Sequence, residues 1–273
     1  NTPMRIKGAL YYALDKARAE KGHLFLPKDT LVCEALKLLN KRIPVSAQRV
    51  QKAEVEDVLE GIILGGTVVS MKDSIYSVSQ FTMEDETARQ IALRILAAPA
   101  QEDITLQLAE VREKLGLSLS AKQESAVRTA FLHSLSIITG PPGTGKTTVL
   151  KGILEVYKLL HPDGKIALMA PTGRASRRMA ESTGFDGACT MHSGLGLLGG
   201  EDEDGSLIKE RSLDADLVIA DEFSMVDMWL ARQFFTRIKA GAKIVMVGDP
   251  DQLPSVGAGN VFRELIQCGL IPV

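Results

Sequence analysis

The sequence lacks most of the features that mark an unusual protein class. Cysteine is scarce: Cys33, Cys189 and Cys268 are the only three in 273 residues, and their spacing fits neither a metal site nor a redox motif. That excludes a disulfide-stapled secreted scaffold and suits a reducing compartment, so a cytoplasmic location is expected. Each thiol reads as simple packing. No apolar run approaches the ~20 residues of a membrane span, since the longest, at 217–220 and 244–247, are strand-sized. No basic start followed by an apolar segment marks a signal peptide, and no membrane association is expected. An excess of charge is missing too. Lys and Arg number 32 against 34 Asp and Glu, a net charge of −2, so there is no overall basic footprint of the kind seen in proteins that coat nucleic acid. This balance leaves nucleic acid open, because basic residues can be confined to one groove. No repeat or low-complexity tract appears.

What is present is ordinary globular composition, 45% hydrophobic and 24% charged, in a chain long enough for one large or two medium domains. It begins Asn1-Thr2-Pro3, which reads as a trimmed or excised piece. Ile6, Leu10, Leu14 and Ala17 recur at helical spacing and stop at Gly22. An extended piece over 23–26 closes at Pro27. A second helix is expected from Asp29 or Thr30, with Leu31, Ala35, Leu38 and Leu39 inward. A third is expected from an N-cap at Ser46, through Val50, Val55, Val58, Leu59 and Ile62, to Gly65-Gly66. Runs at 67–71 and 74–79, joined at Lys72-Asp73, read as a β-hairpin.

Three helices and a hairpin predict a small winged-helix-like α+β domain over 1–82. Holding DNA and serving only as a protein contact or spacer stay equally open for it, because none of its helices is conspicuously basic. Thr82 is expected to cap a helix over 84–96, and another over 106–115 completes a helical linker, 83–117. From 118 to 273, apolar strands at 135–138, 166–169, 217–220 and 244–247 alternate with helical stretches. That pattern predicts an α/β domain, a parallel sheet with helices on both faces. The acidic run Glu201-Asp202-Glu203-Asp204 reads as a solvated loop.

Gly140 to Thr147, GPPGTGKT, fits the pattern G-x-x-x-x-G-K-[ST] in full, with an apolar strand before it and a helical run after it. Glycines let backbone N–H groups wrap phosphates, and the helix N-terminus adds a favourable dipole. The expected nucleotide-binding residues are Pro142, Gly143, Thr144, Gly145, Lys146, Thr147 and Thr148. Lys146 would reach the β- and γ-phosphates and Thr147 would place its hydroxyl on Mg²⁺, so ATP and Mg²⁺ are the expected cofactors. The run LVIADE at 217–222 delivers two carboxylates at the carboxyl end of an apolar strand, where open α/β sheets bind ligands. Asp221 suits a Mg²⁺ contact, and Glu222 is the candidate general base for the attacking water. In a third strand-end loop, Gln252 is placed to sense the γ-phosphate, although a plain Gly/Pro turn explains that loop alone.

These residues also carry a family resemblance. GDPDQLPSVGAG at 248–259 resembles motif III of the RecD/TraA group of superfamily 1 DNA helicases. APTGRASRRM at 170–179 resembles the group's motif Ia, and TMHSGLG at 190–196 its motif Ib. LSAKQESAV at 119–127 resembles the element ahead of the P-loop, in which Gln123 would read the adenine edge. The matches fall in family order over about 119–265, and HLFLPKDTLVCEAL at 23–36 is more weakly similar to the region preceding the motor in longer members.

The resemblance implies a RecA-like first motor lobe and ATP-driven 5′ to 3′ translocation on single-stranded DNA with duplex separation. Repair-protein partners, if any, stay unnamed. It assigns DNA-backbone contacts to the neighbourhoods of Thr172, Arg174, Thr190 and His192, where a helix start presents N–H groups to phosphate. Arg174, Arg177 and Arg178 crowd one helical turn and can track a backbone, while a solvated basic face is an equal alternative for the last two. Phe223 stands where family members more often carry a small or aliphatic residue, a mild departure.

The family's second RecA-like lobe, with the arginine that stabilises the transferring phosphoryl, would lie beyond Val273. The chain alone is therefore expected to bind nucleotide weakly, hydrolyse it slowly if at all, and unwind nothing. Another DNA-repair P-loop ATPase and a nucleotide-dependent DNA-binding module without catalysis are the alternatives. QLPSVGAG argues against the first, and the intact set Lys146, Thr147, Asp221 and Glu222 against the second.

Overall fold

A computed structural model of the protein describes residues 2–41, 43–44, 48–97, 102–116, 118–197, 212–252 and 254–273. The chain forms two compact units. The first holds residues up to Glu86 together with 227–229 and 256–259, and the second holds 87–226, 230–255 and 260–273.

The first unit runs α1 (Thr2–Lys21), β1 (Phe25–Pro27), α2 (Lys28–Asn40), α3 (Lys52–Leu64), β2 (Val68–Met71) and β3 (Ser74–Ser77). Its antiparallel sheet has the order β1-β3-β2, with Tyr76 of β3 between Phe25 and Val69. This is a winged-helix topology, and the strand before α2 turns the expected hairpin into a three-stranded sheet. Ile6, Leu10, Leu31, Val55, Leu59 and Ile75 are buried at its centre. The helical faces fall where their apolar spacing puts them, but two boundaries differ from expectation. Helix α3 begins at Lys52, where the Glu54 carboxylate accepts the Gln51 N–H at 2.7 Å. Ser46, the expected cap, lies outside the described residues. The next helix, α4 (Val78–Leu96), starts well before Thr82. Phe81 packs edge-on against Tyr76 at 5.6 Å and Gln80 is buried, so tertiary packing extends the helix across a residue whose local preference is to cap.

The second unit continues with α5 (Thr105–Leu115), α6 (Ala121–Leu132), β4 (Leu135–Thr139), α7 (Lys146–Leu160), β5 (Ile166–Ala170), α8 (Gly173–Thr183), β6 (Cys189–Thr190) and α9 (Met191–Gly194). It closes with β7 (Leu217–Ala220), α10 (Met228–Arg237, of which the second unit holds the part from Leu230), β8 (Lys243–Gly248) and α11 (Val261–Gln267). All five strands are parallel, in the order β4-β8-β7-β5-β6. Helices flank this sheet, giving the α/β RecA-like fold. β7 is buried along its whole length, as expected for a strand covered on both faces. The two-residue β6 has no signal of its own in the sequence. It exists because Met169 and Ala170 of β5 pair with Cys189 and Thr190. The acidic run 201–204 lies outside the described residues.

One buried cation locks part of this unit. Arg94, at the end of α4, is 7% exposed. Its guanidinium donates to the carbonyl of Phe235 (3.2 Å), to that of Ile238 (2.5 Å) and to that of Lys239 (3.2 Å), and burial lowers its pKa. Carbonyls at a helix C-terminus have no partner within the helix, and a cation there also meets the favourable end of the dipole. Arg94→Ala is expected to cost about 3 kcal/mol, since charge-assisted bonds are lost and carbonyls are left unpaired. A drop in the urea midpoint at unchanged m-value would register it, and a midpoint shift worth under about 1 kcal/mol would refute the clamp.

Candidate active site

β4 delivers the chain to the glycine loop, and α7 leads it away. Gly143 and Gly145 have φ of +80° and +84°, a region that side-chain-bearing residues rarely enter. A Cβ on Gly140 would come within 2.8 Å of the Thr144 hydroxyl, and one on Gly145 would collide with the Gln123 amide nitrogen. The backbone therefore curls tightly, and the first amides of α7, at Lys146, Thr147 and Thr148, have no partner inside the helix. The Lys146 ammonium is held over this loop by the carbonyls of Gly140 and of Pro141, the latter at 3.1 Å. Thr144 braces the curl by donating to the Pro141 carbonyl at 2.8 Å.

Gln123, expected to read the adenine edge, has both ends of its amide engaged. Its Oε1 accepts the Ser120 N–H at 2.9 Å and its Nε2 donates to the Thr144 carbonyl at 3.1 Å. The side chain thus links the start of α6 to the phosphate loop.

β7 carries Asp221 and Glu222 to the same sheet edge. The Glu222 N–H donates to Asp221 Oδ1 at 2.8 Å, and Glu222 sits at φ +52°, ψ +37°. A left-handed conformation costs a non-glycine residue of order 1–2 kcal/mol and is characteristic of functional turns. Burial pushes the Asp221 carboxyl pKa up, as does the Glu222 charge. The Glu222 N–H bond and the positive charges of Lys146 and Arg178 pull it back. A half-buried carboxylate beside the glycine loop is a suitable ligand for a divalent metal. Among the described residues no three His, Cys, Asp or Glu side chains group to hold a metal alone. Thr147, Asp221 and Glu222 line one cleft of about 370 Å³, whose other wall is α8 with Ala175, Arg178, Glu181 and Ser182. The α8 wall was not singled out from the sequence for this site, because nothing local distinguishes a pocket-facing arginine from its neighbours.

Gln252 does not line that cleft. Its amide donates to Asp249 Oδ2 at 3.3 Å, and it borders a smaller cavity with Ser224, Asn260 and Arg263. The expected DNA residues gather elsewhere on the same edge. Thr172 Oγ1 accepts the Ala175 N–H at 3.2 Å and Thr190 Oγ1 accepts the Ser193 N–H at 3.1 Å, so each threonine caps a helix. Ala170 pairs with Thr190, which sets these two helix starts side by side. Arg174 is exposed on the first turn of α8, and His192 is half-buried in α9.

Phe223, the departure from the family pattern, is fully buried. Its ring lies 5.4 Å from Phe234, 6.3 Å from Phe235 and 6.0 Å from Phe262. It anchors the turn that holds Glu222.

Known proteins resemble this chain in sequence. A family model described as an AAA domain matches residues 123–258. The chain is similar to the ATP-dependent RecD2 DNA helicase of Deinococcus radiodurans, at 30% identity over 97% of this chain and 37% of that protein. It is 36% identical to the RecBCD enzyme subunit RecD of Haemophilus influenzae over 58% of this chain and 29% of that one. A crystal structure of Pif1 helicase from Candida albicans aligns with 51% of this chain and 34% of its own, at 30% identity and a TM-score of 0.38. The chain thus spans well under half the length of the relatives it matches. Among the described residues no helix is long and apolar enough to cross a membrane. The similarity to RecD2 extends over nearly the whole chain, and the chain resembles RecD-type helicases over the part of them that it spans.

Proposed function

We propose that this chain is the ATP-binding first lobe of a cytoplasmic DNA motor that moves 5′ to 3′ along single strands and separates duplexes. One observation carries the reading. A single carboxyl edge of one parallel sheet holds the phosphate loop after β4, the carboxylates after β7, and the paired helix starts after β5 and β6. A nucleotide site and a phosphate-backbone site built on one rigid sheet can be coupled by small movements of its edge loops.

In this reading the loop amides and Lys146 bind the nucleotide phosphates, Thr147 and Asp221 hold Mg²⁺, and Glu222 takes the proton of the attacking water. Bound Mg²⁺ neutralises charge on the phosphates. Thr172, Arg174 and Thr190 receive the DNA backbone, where amides and a guanidinium meet phosphate. The family's arginine from a second lobe would complete the site, and the chain alone then hydrolyses slowly and unwinds nothing.

Lys146→Ala tests the site directly. Losing one charge-assisted bond to phosphate is expected to weaken Mg-ATP binding by about 10- to 100-fold, measured by titration with a fluorescent ATP analogue. In the full-length natural protein, ATPase stimulated by single-stranded DNA should vanish with it. An ATPase indifferent to DNA would sink the motor reading, and unchanged ATP affinity would sink the phosphate assignment.

A further inference from the structure

Helix α8 carries one arginine whose surroundings differ from those of its neighbours. At ~100° of rotation per residue, Ala175, Arg178, Met179 and Ser182 share one side of α8, and that side walls the cleft opposite Thr147, Asp221 and Glu222. Arg177 lies outside this arc and lines no part of the cleft. The helix has little freedom to rotate, because Ser176, Met179 and Thr183 are buried. The direction of Arg178 is therefore set by the packing of the helix.

Arg178 is exposed, and among the described residues no hydrogen bond or ion pair engages its guanidinium. Arg94, Arg112, Arg128 and Arg237, by contrast, are each tied to carbonyls or carboxylates. Arg178 thus offers a planar set of five donors to a cleft that already contains both expected metal ligands and the candidate base. Its charge lowers the Asp221 carboxyl pKa from α8, as that of Lys146 does from α7.

We propose that Arg178 is a phosphate-binding residue of the nucleotide site, gripping the terminal phosphate of a nucleoside triphosphate from α8 of the same lobe. The inference rests on the nucleotide reading above and departs from a DNA-tracking role for this side chain. A triphosphate seated in the glycine loop, with its metal at Thr147 and Asp221, directs its last phosphate into the cleft that Arg178 faces. A guanidinium pairs with phosphate through two parallel bonds, which a lysine cannot match. A diphosphate ends before that point. Arg178 accordingly gives the lobe a means of distinguishing ATP from ADP.

The test is equilibrium binding of fluorescent ATP and ADP analogues with Mg²⁺ to the 273-residue chain, for wild type, Arg178→Gln and Arg177→Gln, with oligo-dT binding measured alongside. Arg178→Gln is expected to weaken the ATP analogue about tenfold or more while ADP stays within about threefold. Arg177→Gln should leave both nucleotides unchanged, and oligo-dT affinity should not follow the Arg178 change. Because Arg178 is exposed, its melting temperature serves as a fold control. Equal weakening of ATP and ADP, no weakening of either, or loss of oligo-dT binding with nucleotide affinity retained would each overturn the proposal. A wild-type chain that bound neither nucleotide would instead defeat the nucleotide reading itself.

Discussion

Replacing Glu222 with glutamine is expected to slow ATP hydrolysis by about 10²- to 10⁴-fold, the range for losing a positioned general base, while nucleotide affinity holds. Glutamine keeps the size of the side chain but cannot accept a proton from water. The backbone geometry behind this prediction is specific. Glu222 stands in a left-handed turn with its N–H donated to Asp221 Oδ1, so the carboxylates leave the end of β7 with one tied to the backbone of the other. Single-turnover hydrolysis in the full-length natural protein with saturating single-stranded DNA measures the effect. If Glu222→Gln turned over at a rate close to wild type, the base would have to be sought elsewhere. The strained backbone gives a second readout, because Glu222→Gly removes the side chain that disfavours this turn. That variant should be as stable as wild type or up to about 1 kcal/mol more stable and equally inactive.

Phe223→Ala is expected to destabilise the second unit by about 3–5 kcal/mol, the cost of emptying a buried aromatic site. The ring is enclosed by Phe234, Phe235 and Phe262, and the surrounding rings cannot all collapse into the space it leaves. Phe223→Leu keeps most of the volume and should cost under about 1.5 kcal/mol. Urea denaturation compares the two, and a Phe223→Ala loss below about 1 kcal/mol would mean the cluster relaxes freely. Phe223 directly follows Glu222, so the alanine variant should also hydrolyse more slowly than its residual folded fraction accounts for. In sequence, Phe223 reads as a mild departure from the family. In the fold it supports the turn that holds Glu222, and an aliphatic residue there would need different neighbours.

Much of the candidate site's local structure was legible in the sequence. The phosphate loop announces itself because phosphate binding demands a contiguous run of small residues between a strand and a helix, and Gly143 and Gly145 adopt the conformations that require glycine. Asp221 and Glu222 were legible because an apolar strand followed by two carboxylates is a local pattern. Helical faces in the first unit follow from spacing alone, as Ile6, Leu10 and Leu14 show.

What escaped a linear reading shares one physical cause, dependence on partners distant in the chain. Thr82 has the local character of a cap, yet α4 runs through it because Phe81 meets Tyr76. β6 has only two residues and takes its identity from β5. Gln123 is hydrogen-bonded to Ser120 and Thr144, and Gln252 to Asp249, and the Thr144 partner follows from the packing of α6 on the glycine loop. Arg177 and Arg178 are indistinguishable as sequence, and only the packing of α8 turns one of them toward Asp221. The sequence by itself determined the local elements: a glycine loop between strand and helix, a carboxylate pair at a strand end and the helix starts that follow the strands, all set by short-range backbone demands. The tertiary structure alone decided which side chains share a cleft, because that depends on helix rotation and strand order, which are fixed by burial of apolar surface and not by neighbours in sequence.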